Sequence, residues 1–294
     1  MDNVAPPQDV RRLIFVAGIH GRTGTSLVKR LLCWHPQVSA VSGGETQIFE
    51  ALSELWPTLL DDVAYTPSVS ATALAAFVQH VRGKLGETPE LQRAINELYR
   101  NLDVHYMRLP GHPRLPIAPP ATHQVLIKAM ATFVTESFRA AALDPSRPVL
   151  CEKTPSNALY LPRIKLLFPD SRGVVMVRNP VDVAFSHTRR DWGPTDPVQA
   201  AKYTAAYFRR WRDARGADSK WIVIRHEDVV SKPIQIINQI IAHVQLDPSS
   251  EVTRRTWTEV RPSVDLRTTV PADVLKAMHY HLNEFLEEFG YSES

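Results

Sequence analysis

Leu13-Ile14-Phe15-Val16-Ala17-Gly18-Ile19-His20-Gly21-Arg22-Thr23-Gly24-Thr25-Ser26-Leu27-Val28 is the stretch whose reading decides the fold. Its first five residues are apolar and rich in β-branched and aromatic side chains, which predicts a short buried strand. Gly18 to Ser26 interrupts that pattern, and Leu27, Val28, Leu31 and Leu32 then return at helical spacing. The helix should stop near His35-Pro36, because the residue before a proline disfavours the α region. Between strand and helix, glycines such as Gly21 and Gly24 let the backbone approach a ligand closely, and the N–H groups of the helix start then face an anion. Thr23, Thr25 and Ser26 add hydroxyl groups, and Arg22 adds a permanent charge with a fixed fork of donors. An anion loop accounts for this composition better than a tight turn with a structural arginine. The loop is not a nucleoside-triphosphate Walker A sequence. Gly18 and Gly24 stand one residue too far apart, and no lysine follows Gly24. That disfavours an ATPase or a small-molecule kinase.

Working outward, Pro148–Cys151, Gly173–Val177 and Trp221–Ile224 read as further short apolar strands. Helices are predicted over 71–80, 90–99, 160–168, 181–190, 197–215, 233–244 and 271–289, the last stopped by Gly290. Leu109–Pro120, with five prolines, reads as a loop. Short apolar strands alternating with helices predict an α/β, P-loop-like three-layer fold, its central and mainly parallel sheet flanked by helices. Residues 1–294 are expected to form one domain, with 50–145 building the acceptor-site helices and loops. Ligands of such sheets bind beyond the carboxyl ends of the strands.

One such end carries a second anion signal. Arg178 closes the Gly173–Val177 strand, Ser186 lies in the next predicted helix, and Arg190 follows one turn later. Together they could grip a phosphate from one side. A strand-end arginine serving only as an ion-pair partner is the other reading of Arg178.

The two sites together resemble the PAPS-dependent sulfotransferase family, where PAPS is 3′-phosphoadenosine 5′-phosphosulfate. Arg22-Thr23-Gly24-Thr25-Ser26-Leu27 is similar to its 5′-phosphosulfate loop, and Val177-Arg178-Asn179-Pro180 with Ser186 to its 3′-phosphate site. Further landmarks fall in order: His35-Pro36, Gly44-Glu45-Thr46, Glu152-Lys153-Thr154-Pro155, Phe168-Pro169, Arg225-His226-Glu227-Asp228 and Phe289-Gly290-Tyr291. The resemblance is to the bacterial branch that is itself similar to tyrosylprotein sulfotransferases. It covers nearly the whole chain and is weakest between about 50 and 145.

What the resemblance implies is in-line transfer of a sulfuryl group from PAPS to a hydroxyl acceptor (small molecule, sugar, lipid or peptidyl tyrosine), with adenosine 3′,5′-bisphosphate (PAP) as product. Arg22 is then the cation for the 5′-phosphate and the moving group, and Lys153 the second cation, where the residue alone reads as a solvated strand-end lysine. Ser186 and Arg178 serve the 3′-phosphate, and His226 stands where relatives carry a nucleotide-contacting tyrosine. Glu45 is the candidate general base, with its register shifted relative to the tyrosylprotein enzymes; His20 and His123 are the alternatives. Relatives also place a Gly-Lys before the last helix where this chain has Thr268-Thr269, and Arg267 is the substitute. A nucleotide-binding protein that has lost catalysis is the remaining alternative, against which the joint presence of Arg22, Lys153, Arg178 and Ser186 speaks.

Composition fits this reading. A net charge of +3 suits a local anion site and gives no ground for nucleic acid as a partner. No apolar run approaches the roughly 20 residues of a membrane span. Met1–Val10 lacks a cationic segment followed by an apolar one, so no secretory signal and a cytoplasmic location are expected. Cys33 and Cys151, the only cysteines, suggest no disulfide framework. Eleven histidines show no metal-binding spacing, so no metal is expected. Tyr207, Phe208 and Trp211 predict an aromatic core face on a helix whose outer face holds Arg209, Arg210 and Arg212.

Overall fold

A computed structural model describes residues 12–52, 55, 67–107, 115–117, 123–216, 220–261 and 270–291. Seven strands lie among them: β1 (Arg12–Gly18), β2 (Val38–Ala40), β3 (His105–Met107), β4 (Leu115–Ile117), β5 (Val149–Lys153), β6 (Arg172–Val177) and β7 (Trp221–Arg225). Five form one parallel sheet in the order β2-β5-β1-β6-β7, and β3 pairs with β4 antiparallel. The predicted α/β class with a parallel sheet flanked by helices is therefore present. Register pairs Val38 with Val149 and Gly173 with Trp221. Gly173 has to be a glycine, because a Cβ there would run into the Trp221 ring.

The chain divides into two compact units: residues 1–14, 37–152 and 163–171 in unit one, and 15–36, 153–162 and 172–294 in unit two. Unit one holds the helices Pro67–Leu85, Pro89–Asn101 and His123–Ala140. Leu91, Ala94, Ile95 and Leu98 of the second form one buried stripe, as a helical period requires. That helix begins at Thr88, whose hydroxyl accepts from the Leu91 amide, with Pro89 in its first turn. Phe77 and Phe133 meet edge to face, with centroids 5.8 Å apart. His123–Ala140 was not predicted, and His123 opens that helix. The Pro-rich stretch lies mostly outside the described residues, and its described part, Leu115–Ile117, is a strand and not a loop.

In unit two, helix Pro197–Arg215 matches its predicted bounds. Phe208 and Trp211 are buried against Phe285 and Phe289 of the C-terminal segment, while Arg209, Arg212 and Arg215 pair with Glu284 and Glu288 outside. This is the predicted division into an aromatic face and a charged face. Helix Pro180–His187 is shorter than predicted, so Arg190 stands on the turn beyond it, with its amide bonded to the His187 carbonyl at 3.0 Å. Strand β2 and helix Ser250–Glu259 are further elements that the sequence patterns did not reveal. Neither cysteine forms a disulfide. No described helix is long and apolar enough to cross a membrane.

Candidate functional site

The strand order places four strand ends side by side. Strands β5, β1, β6 and β7 are neighbours in that order, and being parallel they all end at the same edge. Lys153 is the last residue of β5, the glycine loop follows β1, Arg178 follows β6, and His226 follows β7. The sequence-predicted donor residues therefore converge at the carboxyl edge, where parallel sheets bind ligands. All of them belong to unit two.

Helix Thr25–Cys33 begins at Gly24, which has φ 93° and ψ 8° and supplies no side-chain cap, and the first turn carries no acidic residue. Its leading N–H groups thus lack the partner that a capping residue gives elsewhere, as Asn179 does for the Val181 amide at 2.9 Å. Arg22 too adopts a left-handed backbone, with φ 71°, which turns its side chain to Ser186: Nε donates to Oγ at 3.1 Å. Thr23 is buried, and its hydroxyl donates to the His20 carbonyl at 3.0 Å. Its proton is committed to the turn, a correction to its expected part as an anion donor; the backbone is what Thr23 offers. Ser26 is exposed at the helix start, and Thr25 is buried beside it.

The charge distribution around the loop is strongly one-sided. Partial burial of its guanidinium, then the like charges of Arg190 and Arg178, hold the Arg22 pKa below its ordinary value. Arg178 pairs with Asp182 at 3.4 Å, yet its Nε is buried with no hydrogen-bond partner. Burial and then Arg178 also lower the His226 pKa, with Glu227 opposing. His226 sits directly over the loop: a Cβ on Gly24 would come within 2.5 Å of its Nδ1, which has no hydrogen-bond partner. Lys153 is 92% buried, with 8% of its surface exposed. Uncapped N–H groups, three arginines within mutual influence and an unsatisfied buried guanidinium N–H are what a multiply charged anion requires.

Behind the loop lies a group the sequence did not reveal. His20 stacks on Tyr207 with centroids 4.2 Å apart and tilts against His187 at 4.1 Å, and Trp192 meets His187 edge-on at 5.0 Å. Burial lowers His20 to about 3, helped by His187, and His187 to about 4, helped by Arg22 and Arg190. The Gly21 backbone opposes the His187 shift, although it lies outside regular hydrogen-bonding geometry. Both rings are therefore neutral packing elements beneath Gly21 and Arg22, with the His20 nitrogens sealed from solvent.

Glu45 belongs to unit one and is exposed, in the loop between β2 and the short helix Ile48–Ala51. Its neighbour Thr46 is buried, donating its hydroxyl to Glu152 at 2.9 Å and accepting from His80 Nε2 at the carbonyl, 2.8 Å away. Arg267, Thr268, Thr269 and the side chain of His123 lie outside the described residues. Among the described residues no three His, Cys, Asp or Glu side chains group as a metal site.

The chain is similar to known proteins. A profile described as "Sulfotransferase family" matches residues 14–250. Two nematode proteins named "Putative protein-tyrosine sulfotransferase" are each 27% identical to it. The Caenorhabditis briggsae protein matches over 143 residues, 45% of this chain and 48% of its own length. The Caenorhabditis elegans protein matches over 145 residues, 45% and 53% respectively. The chain thus spans about half the length of these curated relatives. Among solved structures, the sulfotransferase domain of the Synechococcus PCC 7002 olefin synthase is similar at 15% identity and a TM-score of 0.49, covering 96% of this chain and 95% of that one.

Proposed function

The chain belongs to the sulfotransferase family, and from that premise we propose that it transfers a sulfuryl group from PAPS to a hydroxyl acceptor. The acceptor oxygen bonds to sulfur while the bond from sulfur to the 5′-phosphate oxygen breaks. The electron pair of the broken bond leaves with PAP, and the hydroxyl proton passes to a base. Such a transfer depends on alignment and on placing positive charge where negative charge grows.

One observation carries this reading: an uncapped helix start, with Arg22 held on Ser186 in the field of Arg178 and Arg190. In the proposed roles, Gly21, Thr23, Gly24, Thr25 and Ser26 offer backbone N–H groups, and Ser26 its hydroxyl, to the 5′-phosphosulfate. Arg22 stabilises the moving sulfuryl, and Lys153 the bridging oxygen as it takes up charge. Arg178, Ser186 and Arg190 receive the 3′-phosphate, and His226 borders the nucleotide. Glu45 accepts the hydroxyl proton. The positive charge comes from side chains, so the chemistry requires no metal. A kinase would need the lysine that this loop lacks.

Calorimetric titration with PAP, with 5′-AMP and ATP–Mg²⁺ as controls, tests the donor. The expected result is a clear preference for PAP over 5′-AMP that Arg178→Ala removes. Loss of one charge-assisted contact should weaken PAP by roughly 10- to 100-fold. Equal affinity for PAP and 5′-AMP, or a preference for ATP–Mg²⁺, overturns the proposal. With PAP binding in hand, labelled PAPS and a panel of phenols, sugars, lipids and tyrosyl peptides identifies the acceptor.

A further inference from the structure

The acidic residue beside the donor site needs explaining. Glu227 follows His226 at the end of β7, and its charge acts on the His226 ring together with that of Arg178. A carboxylate there opposes any phosphate that Arg178 would hold. Its two oxygens are, however, each committed. Oε1 accepts from the Asn179 backbone N–H at 3.0 Å, and Oε2 accepts from the Tyr291 hydroxyl at 2.6 Å. Tyr291 is buried, and the Arg225 guanidinium lies 4.2 Å from the centre of its ring. Burial and the adjacent Glu227 charge push its pKa well above the ordinary phenol value, so it remains a donor at every working pH.

Asn179 is the residue between Arg178 and helix Pro180–His187. Its backbone is held by Glu227, while its side chain caps that helix through the Val181 amide. The helix carries Ser186, which holds Arg22. A continuous series of hydrogen bonds and one capped helix thus runs from Tyr291, just beyond the last described helix, to the glycine loop: Tyr291, Glu227, Asn179, Ser186, Arg22.

We infer that Tyr291 and Glu227 are positioning residues for the 3′-phosphate half of the donor site, a clamp that fixes Asn179 and keeps the Glu227 carboxylate away from Arg178. The inference rests on the proposed binding of PAP. Neither residue is assigned a contact with PAP; both act through Asn179 and Arg178. Without the tyrosine hydroxyl, one carboxylate oxygen loses its donor, and the side chain is free to turn toward Arg178 and compete with the phosphate.

Tyr291→Phe preserves the ring and removes only the hydroxyl. In calorimetric titration its PAP dissociation constant should rise about tenfold, the scale of one hydrogen bond to a charged group, while 5′-AMP changes by less than about twofold. Glu227→Gln can keep both neighbours only with one bond reversed, its amide oxygen accepting from the Asn179 N–H and its amide N–H donating to the Tyr291 hydroxyl oxygen, and should fall between wild type and Tyr291→Phe. Hydrogen–deuterium exchange on the ligand-free proteins supplies a second readout: amides 179–186 should exchange faster in Tyr291→Phe, with helix Pro233–His243 unchanged. Equal losses for PAP and 5′-AMP mean general loosening and overturn the clamp, as does unchanged exchange. Retained PAP selectivity in Tyr291→Phe overturns it while leaving the donor site standing. Absence of PAP selectivity in the wild-type protein overturns the donor site itself, and the clamp's role with it.

Discussion

Gly24 is where the anion loop is most exactingly built, and replacing it with alanine separates two physical costs. The first is torsional. At φ 93° a residue with a Cβ is strained whatever surrounds it, and left-handed backbone costs an L-residue about 1–2 kcal/mol. The second is steric. The added carbon would lie 2.5 Å from His226 Nδ1 and 3.3 Å from two ring carbons, so the largely buried imidazole must move. Forcing an extra carbon into a packed site costs about 1–3 kcal/mol. The sum is about 2–5 kcal/mol, or a fall in Tm of about 4–20 °C at 2–4 °C per kcal/mol. Urea unfolding followed by circular dichroism measures it, and His226→Ala divides it. In the His226→Ala background the steric share disappears and only the torsional share remains, giving a coupling of about 1–3 kcal/mol in a double-mutant cycle. A cost for Gly24→Ala below about 0.5 kcal/mol, or additive single and double variants, would refute this account of the loop.

Two other expectations concern the base and the buried histidines. Glu45→Gln should cut turnover sharply in a labelled-PAPS assay while PAP binding stays near wild type; near-normal turnover removes Glu45 from the mechanism. His20 and His187 titrate near 6.5 when unfolded but near 3 and 4 when folded, so the unfolded chain binds more protons between those values. Stability is therefore complete above pH 6.5 and is lost as pH falls toward 4. His20→Phe, which keeps a ring against Tyr207, should flatten that loss by about 1.4 kcal/mol per pH unit, and parallel urea midpoints for the two proteins at pH 7, 6 and 5 would sink the assignment.

What was legible in the sequence is what lies within one short window. Leu13–Ala17 and Gly173–Val177 are dense apolar runs that end in polar residues unsuited to a core, so each strand and its following loop could be read together. Helix Pro197–Arg215 opens with a capping Asp196, whose carboxylate accepts from the Gln199 amide at 2.7 Å, and with Pro197, so its start was fixed locally. Val38–Ala40 was missed because three residues give no period, and its strand character comes from pairing with Val149–Cys151. His123–Ala140 was missed because apolar residues occur on most of its faces, which blunts the helical period, and because it directly follows the Pro-rich stretch.

The same distinction applies inside the candidate site. Arg22 and Arg178 could be proposed from their places beyond apolar strands, Lys153 and His226 only through the family resemblance, and a parallel sheet brings all four positions to one edge in space. The bond from Arg22 to Ser186 spans 164 residues and that from Tyr291 to Glu227 spans 64, and neither has any signature in the intervening chain. The stack of His20 on Tyr207 is equally silent, because an isolated histidine in sequence carries no sign of burial. Strand ends thus carry the cations proposed to meet the ligand, whereas the hydrogen bonds to Arg22 and to the backbone beside Arg178 come from Ser186 and Glu227, far away in sequence. For this reason Arg178→Ala should remove the preference for PAP over 5′-AMP outright, while substitutions at Tyr291 or Glu227 should only reduce it: they alter how well Arg178 is presented and leave its charge in place.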